Sequence, residues 1–399
     1  MEQHTANPVA HARQLTGIIA LVIATAVWLP SVHLFFSGSR PPADQSVSPH
    51  ARALANRHLA LWTDASLKNH ELLRMRRSNP EWDFMGRSFL VWSLAEMGIR
   101  EPARKGDYLP VMDQIIDDTL RLEREGGIYT FLMSYARYRP FEKQPARSLF
   151  VDSEIALMLG LRRILSEKPD YRSPMHERVE IMIERMRASP ALVAESYPNE
   201  CWLFDHSVAM AAIRVADYLD GTDHSAFLKE WLAAARTNLV HPETGLLISS
   251  FTIEADVLDG PEGSSIWMAA HCLRLLDNEF ASDQYRRARK ELGRELTGFA
   301  WSREWPLSAR NPMDIDSGMV VPILDASPGG SGLAFVGASS FNDQAYRRKL
   351  QASLNFGAFP IKHNGRLKYC ASNQVGDAVL LYSEVLGPIW ELINKRAKQ

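Results

Sequence analysis

The sequence predicts an all-α fold, a six-hairpin (α/α)6 barrel behind an N-terminal transmembrane helix. Three observations predict it. A long uncharged run sits near the N-terminus, the apolar spacing from Ala51 onward is helical, and about twelve helix-start signals are accompanied by a single strand-like stretch.

Residues 1–14 are a polar tail. Leu15 to Phe36 (LTGIIALVIATAVWLPSVHLFF) carries no formally charged side chain and is long enough to cross a bilayer core of about 30 Å. It is longer than the apolar core of a cleavable signal, and no A-x-A follows it, so it reads as an uncleaved anchor. Residues 37–50 form a Pro/Ser-rich linker, and residues 51–399 are expected to be the barrel and catalytic domain. Arg13 and the free amine precede the anchor, which favours a cytoplasmic N-terminus and an extracytoplasmic main domain.

Within the main domain, Phe204, Val208, Ala211, Val215 and Leu219 draw one stripe on a helix, as do Phe89, Leu90, Leu94 and Met97. Asp223-His-Ser225 and Gly263-Ser264-Ser265 precede apolar runs, as helix caps do. Helices are expected to start near residues 51, 82, 108, 148, 174, 203, 225, 264, 283, 330, 344 and 374. Leu246 to Ile253 is the strand-like exception, read as a short hairpin arm. No fixed sequence period supports a solenoid. Twelve helices in antiparallel pairs close as a toroid whose even-numbered members form an inner ring, starting near 82, 148, 203, 264, 330 and 374.

The 399 residues hold 45 Lys+Arg against 47 Asp+Glu, a net charge of −2, which offers no footprint for nucleic acid. Three cysteines make no disulfide framework and no CxxC pair, and no nucleotide loop or serine nucleophile elbow is present. Neither a cofactor nor a metal is therefore expected; the Asp314-x-Asp316 pair lacks the further ligands of a calcium loop. The expected partners are a small-molecule substrate (an alcohol, a terpenoid or a sugar), the membrane through residues 15–36, and a second copy of the chain in a homo-oligomer.

The toroid singles out the loops that lead into the inner helices. Glu154 and Asp205 are the expected acid–base pair: buried acids near helix starts split into a protonated acid and an ionised base. Glu262 and Tyr369 are expected to join the chemistry. Trp82, Asp83, Asp152, Trp202, His206, Ser264, Trp267, Asp316 and Asn373 are expected to line the substrate site, with His206 as a proton carrier titrating near neutrality.

Tyr197 to Leu292 also carries a family pattern. YPN is followed by SVA, then by LDGTD before a WL helix and by LVHPETGLLIS. Phe141-Glu-Lys143 with Leu157-Met158-x-Gly160 lies upstream, and Gly330-Ser-Gly332-Leu-Ala334 with Leu367-x-Tyr369 downstream. Over roughly Asn79 to Glu391 the chain resembles the linalool dehydratase/isomerase family. The resemblance implies an exported (α/α)6 barrel, able to form rings, that performs cofactor-free elimination, hydration or isomerisation of a hydroxyl-bearing substrate, hence a lyase or isomerase. The family's cysteine positions fall on Ser196 and Asp205, its histidine on Glu154, and a pocket aromatic on Ser264. Two other readings stand beside it: a carbohydrate-active hydrolase or epimerase using a carboxylate pair, and a non-enzymatic membrane-tethered binding protein.

Overall fold

The computed structural model describes residues 8–38, 46–309 and 318–396. Twelve helices form two concentric rings. The outer ring is α1 (Pro49–Thr63), α3 (Lys105–Gly126), α5 (Arg172–Arg187), α7 (Ser225–Asn238), α9 (Asn278–Glu291) and α11 (Gln344–Ala358). The inner ring is α2 (Pro80–Arg100), α4 (Leu149–Leu165), α6 (Leu203–Asp220), α8 (Gly263–Leu273), α10 (Pro328–Ser340) and α12 (Gln374–Val385). Each inner helix packs on the next, and α12 packs back on α2, which closes the toroid. The (α/α)6 barrel and the inner–outer alternation are as the spacing predicts.

The inner helices are apolar on nearly every side because both faces are covered. On α2 every residue from Gly86 to Gly98 is buried, and on α4 every residue from Leu149 to Leu161. Small residues set how closely they approach. A Cβ on Gly160 would stand 2.5 Å from Val215 Cγ1 on the neighbouring inner helix, and one on Gly337 2.9 Å from the Trp267 ring. The outer helices bury one face each, as α9 shows with Phe280, Ala281, Gln284, Tyr285 and Ala288 inward and charged residues outward.

All inner helices run the same way, so their N-termini and the loops feeding them gather at one end, called the mouth below. Local capping fixes those starts. Asn79 accepts from the Trp82 amide, Ser148 from Val151, Ser327 from Gly330 and Asn373 from Gly376. A final helix, α13 (Pro388–Arg396), closes the opposite end, where Trp390 stacks on His271.

The strand content departs from expectation. Of Leu246–Ile253 only β2 (Ser250–Phe251) is extended, between β1 (Cys201–Trp202) and β3 (Val257–Asp259) in a three-stranded antiparallel sheet. Two unexpected hairpins lie in mouth loops, β4 (Gly293–Leu296) with β5 (Phe299–Ser302) and β6 (Pro360–His363) with β7 (Arg366–Tyr369). Their two-residue turns, Thr297-Gly298 and Asn364-Gly365, hold positive φ at both residues, the geometry that matches strand twist.

The N-terminal helix Pro8–Trp28 continues as a 3-10 helix, Leu29–Phe36. Ala12–Phe36 has a mean hydropathy of 2.1 and is nowhere buried against the barrel along its apolar window. By length and composition it can cross a membrane or act as a signal anchor.

Candidate active site

Three carboxyl groups on three inner helices are linked pairwise by charge: Asp205 acts on Glu154, and Glu81 acts on Asp205. Glu154 lies one and a half turns into α4, fully buried. Neither of its oxygens has a hydrogen-bond partner. The Ser88 hydroxyl is close enough to favour the ionised form, but it donates to the Phe84 carbonyl. Burial therefore pushes the Glu154 carboxyl well above the usual range, and the charge of Asp205 adds to this. A buried polar group without a partner is rare in a native fold and calls for a reason.

Asp205 is the third residue of α6 and is 6% exposed. Burial pushes it up to about 8, the nearby Ser196 hydroxyl opposes the shift, and the Glu81 charge adds to it. The Ser196 loop is fixed to α4, because Ser148 Oγ donates to the Ser196 carbonyl at 2.6 Å.

Glu81 is half-buried in the first turn of α2. Tyr197 donates its hydroxyl to Glu81 Oε2 at 2.5 Å. Burial raises Glu81, the Tyr197 bond opposes this, and Glu200 adds to it. Tyr197 also accepts the Met133 amide at 3.0 Å and stacks on Tyr135 at 4.9 Å between centroids. Tyr135 and Arg139 in turn donate to Glu200, at 3.2 and 3.1 Å. Glu81, Tyr197 and Tyr135 escaped the sequence reading. Glu81 sits in the same Asn79-Pro-Glu-Trp-Asp83 helix start that drew attention to its two neighbours, and Tyr197 stands in the YPN motif.

The other expected site residues are placed elsewhere or already engaged. Asp83 is bound by Arg87 at 2.9 Å and Arg76 at 3.4 Å. Asp152 is held by Arg147 and by Arg178, the latter at 2.7 Å. Both acids sit in ion pairs, and each also lines a cleft, Asp152 beside Arg147 and Glu195, and Asp83 beside His58 and Arg87. His206 is buried, with Nδ1 on the Trp202 carbonyl at 2.7 Å and Nε2 accepting the Ala194 amide at 3.0 Å. Burial lowers it to about 4, so it is neutral and no proton carrier near pH 7. Trp267 donates to Ser302 Oγ at 3.1 Å and packs, fully buried, on Tyr285 and Tyr346 of the outer ring. The Tyr369 hydroxyl, expected in the pocket, joins His50, Gln351 and Asn355 between the rings. Asn373 is the cap of α12.

Glu262 is buried at the start of α8, accepting from the Trp305 indole at 3.3 Å, while the Ser264 amide donates to Glu304 at 3.1 Å. Trp82 and Trp202 are half-buried at the mouth, with the Trp202 indole toward Glu200. Asp314 and Asp316 lie outside the described residues. Neither the Asp152 cleft nor the Asp83 cleft is lined by Glu154 or Asp205.

Solved structures place this architecture in a class. The chain is similar to the GH76A alpha-1,6-mannanase from Salegentibacter sp. HEL1_6, with a TM-score of 0.54 and 10% identity, covering 84% of this chain and 98% of that one. It is similar to a UGL variant with dGlcA-Glc-Rha-Glc, with a TM-score of 0.53 and 12% identity over 84% of this chain and 94% of that one. It is also similar to a family 105 glycoside hydrolase of C. acetobutylicum ATCC 824, at 0.51 and 10% over 86% and 100%. The fold is thus the (α/α)6 toroid that glycoside hydrolases use. No family model matches the chain.

These likenesses overturn the resemblance to the linalool dehydratase/isomerase family, and with it the expected lyase or isomerase acting on an alcohol. The site agrees with the correction. Where that family's cysteines and histidine would stand, this chain has Ser196, Asp205 and Glu154, a carboxyl-based set.

Proposed function

We propose that the chain is a membrane-tethered, carbohydrate-active hydrolase whose mouth carboxyls cleave a glycosidic bond. The observation that carries this reading is the charge coupling of Glu154, Asp205 and Glu81 inside a toroid shared with sugar hydrolases. Two fully buried acids and a third whose charge acts on one of them do not all ionise at neutral pH. Glu154 and Asp205 hold protons. Glu81 carries the charge, because Tyr197 donates to it.

Glycoside hydrolysis needs one proton-donating and one proton-accepting carboxyl. Asp205 gives its proton to the departing glycosidic oxygen. Glu81 takes a proton from the attacking water, whose oxygen bonds to the anomeric carbon as the glycosidic bond breaks. Glu154, neutral and fully buried, keeps a second negative charge away from Asp205. The N-terminal helix holds the barrel at the membrane, on its extracytoplasmic side.

The test is release of reducing ends by the detergent-solubilised chain from a panel of oligosaccharides, including alpha-1,6-mannotetrose and unsaturated uronyl oligomers. Turnover of one linkage class supports the reading. No turnover of any, with binding that raises Tm, replaces it with the tethered binding protein.

A further inference from the structure

The exposed apolar side chains of the barrel are not spread evenly. Among the described residues, the large exposed hydrophobics outside the N-terminal helix all lie in mouth loops or in the last turn of α11, save Leu392 at the opposite end. Tyr138 precedes α4, Leu258 precedes α8, Leu296 and Ile323 precede α10, and Phe359 precedes α12. Ile323 is 102% exposed and Tyr138 81%. Scattered single hydrophobics need no explanation, but their gathering at one end of a soluble-looking barrel does.

The N-terminal helix leaves the barrel at this same end. The His33 ring meets Phe299 of β5 edge-on at 6.2 Å, and Phe36 meets Phe356 in the last turn of α11 at 5.1 Å. Asn355 Nδ2 donates to the Phe36 carbonyl at 2.8 Å. β5 lies in a mouth loop, and α11 ends at the mouth. Trp28, exposed at the end of the spanning helix, is the residue type that settles at a membrane interface. Between Trp28 and His33 the chain is 3-10 helix, so roughly 10 Å separates them at about 2 Å per residue. No slack linker intervenes between the bilayer surface and the mouth.

We propose that the mouth faces the bilayer to which the chain is tethered, with its apolar rim resting in the headgroup region, and that the saccharide it takes is carried on a lipid. The substrate half rests on the hydrolase reading above; the orientation does not. A mouth pressed to the membrane is poorly placed for a dissolved polymer and well placed for a sugar chain rising from the lipid surface. Confinement to the same surface raises the local concentration of such a substrate.

The test uses the full chain in phosphatidylcholine/phosphatidylglycerol vesicles, in a Cys370→Ser background. A nitrobenzoxadiazole label is placed at Ile323→Cys or at Leu392→Cys, and doxyl-phosphatidylcholine is the quencher. Quenching severalfold stronger at position 323 is expected; equal quenching, or stronger quenching at 392, overturns the orientation. In the same vesicles, the wild-type chain should hydrolyse a saccharide offered as its octadecyl glycoside at least about tenfold faster than as its methyl glycoside. Equal rates overturn the lipid-borne substrate. Quenching as expected with no hydrolysis of either form upholds the orientation and removes the hydrolase reading with its substrate.

Discussion

Tyr197 donates its phenol to Glu81 at 2.5 Å across 116 residues of sequence, tying the loop before α6 to the first turn of α2. This bond opposes the rise that burial imposes on Glu81. Removing it leaves burial and the Glu200 charge to raise Glu81 further. Tyr197→Phe should therefore move the acidic limb of the pH–rate profile upward by about one unit. An unmoved limb would mean that Glu81 is not the group whose ionisation the reaction needs.

Asp205 links the site to stability. Its folded pKa is raised from 3.8 to about 8, so the folded chain holds a proton that the unfolded chain has released between those values. Stability from this group is complete below about pH 4 and is lost as pH rises to about 8. Glu96, raised to about 7 where it accepts the Gly387 and Ile389 amides, and Asp377, raised to about 6, act in the same direction. The chain should be more stable at pH 5 than at pH 8 by urea denaturation. Asp205→Asn should shrink that difference by ~2 kcal/mol or more; an unchanged difference would show that Asp205 titrates normally.

Glu154 offers the opposite exchange. A buried carboxyl without partners costs stability, by about 1–3 kcal/mol. Glu154→Leu should raise Tm and at the same time lower turnover, as replacements at functional positions often do. A lowered Tm would instead reveal a structural role for the carboxyl.

Asp152 provides the contrast within the same helix. It neutralises Arg178, which is buried and also paired with Glu123. Asp152→Ala should destabilise the fold by about 3 kcal/mol, the scale for breaking a buried pair. The protein that remains folded should keep its KM, since both oxygens of this carboxyl are already taken by arginines. A selective loss of kcat without loss of Tm would move Asp152 into the site.

The toroid was legible because inner helices must be apolar all round. The caps were less so, since the structure uses Asn79, Ser148, Ser327 and Asn373, while the helices after Asp223-His-Ser225 and at Gly263-Ser264-Ser265 have no side-chain N-cap bond. The hairpins were not, although Asn364-Gly365 is a strong turn signal. Their strands are only four residues long, and although β5 and β7 alternate, their partners do not: β6 is exposed throughout. Glu154 and Asp205 were legible as acids at inner-helix starts. Asp83 and Asp152 answer the same description, and what separates them is the arginines at 76, 87, 147 and 178, whose reach depends on tertiary packing. Glu81 was hidden because its partner comes from a distant loop. His206 looked like a proton carrier until both ring nitrogens were found engaged with backbone.

The most direct measurement of the central claim is turnover by Asp205→Asn beside the wild-type chain, on whichever oligosaccharide the wild type cleaves, with Tm read on the same samples at pH 6. Loss of a proton donor should cut kcat by about 100-fold or more, while Tm stays level or rises, because Asn spares the folded chain the proton uptake that Asp205 needs at pH 6. Wild-type rates in the variant, with the fold intact, would contradict a carboxyl-driven reaction at this mouth.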